Sequence, residues 1–460
     1  MARAFSLGDD GSLPEEQSRR LVVKLAAWVL VVRVVLALWV IVYPDSRFFN
    51  SIDSLSIAPI VNFYVDGMFK DIPANDSYFY WIIALHGAGS WDPEMGWRLV
   101  NFSQVFPVII AVVKPIFSTW SPYIINTVFA AITPWFLVGF LNSVIKNPAT
   151  ARRIAIAVLF NPIFLAYSIY GLTEPLHYLL LFAVLSAHYK SGILWRIVEY
   201  SCLVIFELNR FIGIILATFY VYKVVFARGT SLKQRVLWLV PVVVLSATYV
   251  GWEWICLQVF GHTPSEARTY YWHHGFNLDP TVPLFIVKQF PMLLAGAMLG
   301  LLLLVSVFSS NEEHRKLEAT EFERIDVQAC VAMAAVFFVF IGLINTPISL
   351  FRYVGTMFPL FAVMLLRFPT NRYLPVMIFG IVMGVVMAHL AAICIMFFSS
   401  PPIPSLTALD VTLCTIFTIS FFAASFTFFI KRHLFKSDNA VMLVHLLLAI
   451  LLAPLALYFP

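Results

Sequence analysis

Long apolar stretches separated by short polar breaks dominate the chain. The first stretch, residues 21–43, is about as long as the 20-residue helix that crosses the hydrocarbon core of a bilayer. Comparable stretches follow at 121–142, 153–169, 172–188, 194–208, 211–227, 235–257, 284–308, 327–345, 351–366, 374–397, 408–430 and 441–458. The pattern predicts an all-α polytopic membrane protein with about 11–13 transmembrane helices.

The composition agrees with a membrane protein and excludes other classes. Hydrophobic residues make up 61% of the chain and charged residues 12%, whereas soluble chains are about half apolar and a quarter charged. A water-soluble globule, a disordered chain, a coiled coil and a collagen are therefore excluded. The five cysteines lie in apolar runs without paired spacing, which argues against a disulfide framework or a zinc site.

The positive charges predict the orientation of the spans. With residues 1–20 as a cytosolic tail, roughly 20 Lys and Arg residues fall on the cytosolic side and roughly 7 on the opposite side, as the positive-inside rule expects. The alternation requires that Ser103–Phe117 does not span. We predict that it is a helix lying at the outer membrane interface.

Residues 21–460 are predicted to form one transmembrane domain with two long external segments. The first, residues 44–120, contains seven carboxylates, and the second, residues 258–283, mixes aromatic, histidine and polar side chains. External loops of this length usually carry function.

Polar groups at the external ends of the spans are the candidate chemistry, because such groups are costly at a membrane boundary. They are Asn161, Glu174, Asn209, Arg210 and Arg352. Arginines beside carboxylates on one face favour a site that binds an anion and moves a proton. A phosphate with a membrane-embedded tail suits this site, since guanidinium donates paired hydrogen bonds to phosphate.

Several short motifs occur in the order in which they occur in a known enzyme family. They are Asn75–Gly87, Asn101–Pro107, Asn161–Phe164 followed by Glu174, Asn209–Gly213, and Arg352–Tyr353 followed by Phe358–Pro359. The set resembles the GT-C glycosyltransferases, and most of all the PIG-V-like mannosyltransferases that include GPI mannosyltransferase II. The resemblance implies a GT-C-like helical bundle in which the first external loop carries interfacial helices.

The resemblance also implies a reaction and residue roles. An inverting enzyme would move a sugar, mannose by this resemblance, from dolichol phosphate to a hydroxyl of a glycolipid or glycan such as a GPI-anchor precursor. Asp76 would be the general base, with Asp92 as its rival because Trp91-Asp92 keeps the family's Trp-Asp pair. Arg210 and Arg352 would bind the donor phosphate. The orienting residues would be Asn161, Glu174, Asn209 and Tyr353.

The same resemblance implies no metal and no cofactor besides the lipid-linked donor. The expected partners are membrane lipids, the donor, the acceptor and a small membrane subunit, with no nucleic acid. The membrane would be that of the endoplasmic reticulum in a eukaryote and the plasma membrane in a prokaryote.

Other interpretations stay open at this point. A secondary transporter or lipid flippase has a similar number of helices, although it favours polar residues at the membrane midplane. A noncatalytic subunit of a glycosyltransferase complex is a second alternative. Arg210 and Arg352 could simply reach towards lipid headgroups, and Glu174, which precedes Pro175, could cap a helix.

Overall fold

The structure is a computed structural model, and it describes only part of the 460 residues. The described positions are 15–42, 80–81, 83–85, 87, 100, 104–118, 121–145, 148–160, 173–210, 213–227, 229–270, 325–326, 328–330, 332–333 and 336. The later spans, most of the first external segment and residues 271–283 of the second lie outside these residues.

The described part of the chain is helical. Its helices are α1 (Glu15–Val42), α2 (Val105–Phe117), α3 (Ser121–Val144), α4 (Pro148–Leu159), α5 (Glu174–His188), α6 (Ile193–Arg210), α7 (Gly213–Phe226), α8 (Leu232–Phe260) and α9 (Pro264–Tyr270). The predicted spans at 21–43, 121–142, 172–188, 194–208, 211–227 and 235–257 each coincide with a helix, with ends that differ by up to six residues. Of the predicted span 153–169, the residues up to 159 lie in α4 and residues 161–169 lie outside the described residues. By length and composition, α3 and α8 are long and apolar enough to cross a membrane.

Helix α3 packs against both α1 and α5. Asn142 of α3 donates a hydrogen bond to Ser18 at the start of α1, and Arg33 reaches Thr127 further along, so α1 and α3 run antiparallel. Helices α3 and α5 run in the same direction and approach closely where Gly139 faces the Ser186 side chain. A Cβ at Gly139 would lie 2.8 Å from Ser186 Oγ, so glycine permits this contact.

Charged side chains are buried at two ends of the described bundle. We call the end where α5 begins and α6 ends the Arg210 end, and the end where α5 ends and α6 begins the Lys223 end. The 15 residues of α5 separate them by about 20 Å. Helices α3 and α7 also begin at the Arg210 end.

Helix α2 confirms the helix predicted over Ser103–Phe117. Its 13 residues span about 20 Å, which is too short to cross the roughly 30 Å hydrocarbon core. Phe106 and Ile110 are buried, whereas Val108, Val112 and Ile116 form an exposed apolar stripe at four-residue spacing.

Helix α8 is longer than a bilayer core, and local signals explain both of its ends. Ser231 and Gln234 form a capping box at its start. Gly261 ends it with a φ of 71°, which costs glycine little. The chain then turns back into α9, whose start is held by reciprocal bonds between Thr263 and Glu266.

Candidate functional site

A buried ion pair joins α5 and α6 at the Arg210 end. Arg210 Nη2 donates to Glu174 Oε1 at 2.6 Å, and its Nε donates to Thr173 Oγ1 at 3.1 Å. The side chains of Arg210 and Glu174 are only 8% and 2% exposed. Pro175 at the start of α5 suits the first turn of a helix because that N–H needs no partner within the helix. The Glu174 carboxylate is therefore placed at the helix start, facing the last residue of α6.

An aromatic layer lies directly beneath this ion pair. His177 follows Glu174 by three residues on α5, and Phe206 precedes Arg210 by four residues on α6, so each lies on the same helix face as its charged neighbour. The two rings are tilted by 35° with centroids 4.7 Å apart. His177 is 3% exposed, and its Nδ1 has no hydrogen-bond partner among the described residues.

Two more buried polar residues of α6 surround the pair. Asn209 and Glu207 are 1% and 3% exposed. The Glu207 carboxylate lies against the first residue of α7, Gly213, where any Cβ would overlap it and would also approach Leu245 of α8 to 2.9 Å. Gly213 is therefore required to let a carboxylate pack between α6, α7 and α8. This contact gives a physical reason for the glycine in the Asn209–Gly213 motif.

Parts of the two predicted external segments pack together where α8 ends. Val100 of the first segment packs against Cys256 of α8 and Ala267 of α9. Closer to α2, Tyr80 contacts the edge of the Phe106 ring at 5.7 Å. Parts of both predicted external segments thus pack together against the last turns of α8.

A second buried arginine lies between α1 and α3. The Arg33 guanidinium donates to Thr127 Oγ1 through Nε at 3.1 Å and Nη2 at 2.9 Å. It also lies 5.2 Å from the centre of the Tyr123 ring. From the sequence, Arg33 is either paired with a buried acid or part of the site. Its contacts tie the two helices together through the hydroxyl group of Thr127 and the aromatic ring of Tyr123.

The Lys223 end contains a polar network that sequence reasoning did not find. Glu199 Oε1 accepts from His188 Nδ1 and from Tyr220 at 2.9 Å each, and Arg196 pairs with the other oxygen. His188 Nε2 lies 2.9 Å from Lys223 Nζ. The sequence signal was weak, because these residues are scattered over 35 positions and become neighbours only when α5, α6 and α7 pack.

Lys223 connects this network to a distant part of the chain. Its Nζ lies 2.7 Å from Asp326 Oδ1. The ammonium is surrounded by the Tyr189, Phe219 and Trp238 rings, with centroids 4.8–5.3 Å away. Burial and the nearby Asp326 carboxylate raise the pKa of Tyr189 well above its usual value.

The structure brings together three of the residues predicted from the sequence: Glu174, Asn209 and Arg210 lie in adjacent turns at one end of the bundle. The others lie outside the described residues, so their roles stay predictions; they are Asp76, Asp92, Asn161, Arg352 and Tyr353. His177 and Glu207 were not among the predicted site residues.

Within the described part of the chain, no group of three His, Cys, Asp or Glu side chains is arranged to hold a metal ion.

The fold of the chain is shared with a known membrane protein. No protein-family profile and no curated protein sequence matches it. The crystal structure of ArnT from Cupriavidus metallidurans bound to undecaprenyl phosphate matches with a TM-score of 0.51 and 15% identity, over 93% of this chain and 76% of ArnT. The apo structure of the same ArnT matches with a TM-score of 0.48 and 13% identity, over 84% and 72%.

At this identity the likeness to ArnT shows the fold alone. ArnT has a GT-C membrane fold, and the described residues of our chain are helical throughout, with apolar helices of membrane-spanning length. The prediction of an all-α polytopic membrane protein is therefore confirmed, and its fold is like that of ArnT.

Proposed function

We propose that the protein is a glycosyltransferase that takes a sugar from a polyprenyl phosphate at the Arg210 end of its helical bundle. The observation that carries the proposal is the buried Arg210, held in place by Thr173 and Glu174. It lies in a fold shared with ArnT, a GT-C glycosyltransferase whose crystal structure contains undecaprenyl phosphate.

The chemistry of the ion pair fits the departure of a lipid phosphate. When the sugar–phosphate bond breaks, the phosphate gains negative charge, and preorganised cations stabilise that charge most effectively where water is excluded. A guanidinium offers five donors and stays ionised. Arg210 uses two of its nitrogens for Thr173 and Glu174, so these two residues set the orientation of the guanidinium plane towards a ligand.

The remaining predicted residues complete the proposed mechanism. Asp76 takes the proton of the acceptor hydroxyl as it attacks the anomeric carbon, which inverts that carbon in one displacement. Arg352 joins Arg210 on the phosphate, and Asn161, Asn209 and Tyr353 orient the sugar. Within this proposal the phosphate is a sufficient leaving group, so that no metal ion is needed.

The finer identity of the substrates is proposed from the motif resemblance. Mannose is the sugar to be tested first, with dolichyl phosphate as its carrier and a GPI-type glycolipid as its acceptor. An undecaprenyl-phosphate-linked sugar is the second donor to be tested, because ArnT was crystallised with that carrier.

The experiment is a transfer assay in reconstituted vesicles with radiolabelled sugar on each carrier and a pool of glycolipid acceptors. We expect wild-type protein to move label to an acceptor, and Asp76→Asn to slow transfer by about 10²–10⁴-fold because a general base is lost. Equal sugar transfer by both proteins would indicate that Asp92 is the general base instead. Asp92→Asn is then the matched variant.

A flippase or transporter would give a different result in the same vesicles. It would move the labelled lipid or sugar across the bilayer without forming a new glycosidic bond. Absence of transferred label from either carrier, together with such movement, would overturn the proposed function.

A further inference from the structure

His177 is a buried polar side chain of this region that the proposed mechanism does not use. It lies three residues after Glu174 on α5, about 4.5 Å further from the Arg210 end along the helix axis. Its ring is 3% exposed and packs on Phe206, with centroids 4.7 Å apart.

The imidazole at this position has a polar atom without a protein partner. Nδ1 of His177 is enclosed and makes no hydrogen bond to any described residue. Buried polar atoms in native proteins almost always have a partner, and an exception calls for a functional explanation such as a ligand. Phenylalanine would stack on Phe206 equally well, and the chain uses phenylalanine 43 times, so packing alone does not explain a histidine.

The depth of His177 indicates which part of a ligand it meets. A polyprenyl phosphate has its tail in the hydrocarbon core and its phosphate near the membrane surface. A phosphate held by Arg210 would therefore have its lipid-ester side directed towards the next layer of the bundle, which is the layer of His177 and Phe206.

We propose that His177 is a further ligand of the donor phosphate, donating a hydrogen bond from Nδ1 to a phosphate oxygen on the lipid side of Arg210. This inference rests on the proposed function. It assigns recognition of the phosphate to two layers of the helix pair: the guanidinium in the outer layer and the imidazole in the layer beneath it.

Binding of undecaprenyl phosphate to purified full-length protein in nanodiscs tests the proposal without requiring catalysis. His177→Phe keeps the ring stacked on Phe206 and removes the donor. We expect this variant to bind about 10- to 100-fold more weakly, the usual effect of losing a hydrogen bond to a charged group. His177→Asn keeps an N–H close to the position of Nδ1 and should recover most of the affinity.

Two further ligands distinguish recognition of the phosphate from recognition of the lipid tail. Undecaprenol has the tail without the phosphate, and its binding should not depend on His177. Inorganic phosphate has the anion without the tail. If its binding depends on His177, the site recognises phosphate from either source, which also supports the proposal. His262→Phe makes the same exchange at an exposed histidine of the chain and should leave all three affinities unchanged.

Each contrary outcome has a separate meaning. Equal binding of undecaprenyl phosphate by wild type and His177→Phe overturns the role of His177 and leaves the proposed function intact. If His177→Phe weakens binding of undecaprenol as much as binding of undecaprenyl phosphate, the role of His177 is overturned as well, because His177 would then pack against the tail. Failure of the wild type to bind both undecaprenyl phosphate and dolichyl phosphate overturns both proposals. If His177→Phe does not fold, His177→Gln moves the donor further from the helix and makes the same comparison.

Discussion

The same two helices, α5 and α6, hold buried charges at both of their ends, and the two groups differ in construction. At the Lys223 end, Glu199 accepts hydrogen bonds from three side chains, and His188 uses both of its ring nitrogens. At the Arg210 end, the pair of Arg210 and Glu174 lies above a histidine whose Nδ1 has no partner among the described residues.

The difference separates a structural role from a binding role. A buried charge is costly unless it is paired and hydrogen-bonded. At the Lys223 end, neighbouring opposite charges offset that cost and join α5, α6, α7 and the region of Asp326. Aromatic rings enclose the Lys223 ammonium. We interpret this network as a cross-link of the bundle. At the Arg210 end, the described ion pair joins α5 to α6.

The largest effect on stability is expected from breaking the network at its centre. Glu199→Leu removes the acceptor of the buried His188 and Tyr220 donors and of the partly exposed Arg196. We expect a loss of about 3–5 kcal/mol in the free energy of unfolding, typical of removing one partner of a buried charged group. Thermal unfolding in detergent measures it. Glu199→Gln, which still accepts hydrogen bonds, should lose less, and an unchanged unfolding temperature in Glu199→Leu would contradict the structural role.

The second prediction concerns activity at the other end. Arg210→Gln should reduce sugar transfer by about 10²–10³-fold, the usual effect of losing a donor that stabilises developing charge. The control is the double variant Arg210→Gln/Glu174→Gln, which replaces the ion pair with two neutral amides that can hydrogen-bond to each other. It should unfold near the wild-type temperature and still fail to transfer sugar. Transfer at the wild-type rate by the double variant would show that this pair, too, is only structural.

The smallest effect is expected at the glycine that accommodates Glu207. Gly213→Ala places a Cβ into the Glu207 carboxylate and close to Leu245. We expect a loss of about 1–3 kcal/mol in unfolding free energy, typical of overpacking. Gly251→Ala in α8 is the matched control, because nothing lies within 4 Å of its added Cβ. Alanine there should be neutral or stabilising by up to about 1 kcal/mol. Equal stability of both variants would show that Glu207 moves aside easily.

Sequence alone determined the class of the protein and the approximate positions of its described helices. Apolar runs of span length and the asymmetry of Lys and Arg are local signals, because a bilayer imposes helix length and charge placement on each segment separately. The same reasoning predicted α2 as a short helix. It also selected Glu174, Asn209 and Arg210 as polar residues at span ends, and the structure places them together.

Only the tertiary structure decided which buried charges meet. Glu199 is 11 residues from His188 and 21 from Tyr220, and Asp326 is more than one hundred positions from Lys223. No periodicity along the chain encodes such distances, because each contact depends on how neighbouring helices rotate and pack. For the same reason His177 looks from the sequence like any histidine on an apolar helix. Packing beneath Arg210 and against Phe206 is what makes it a candidate ligand.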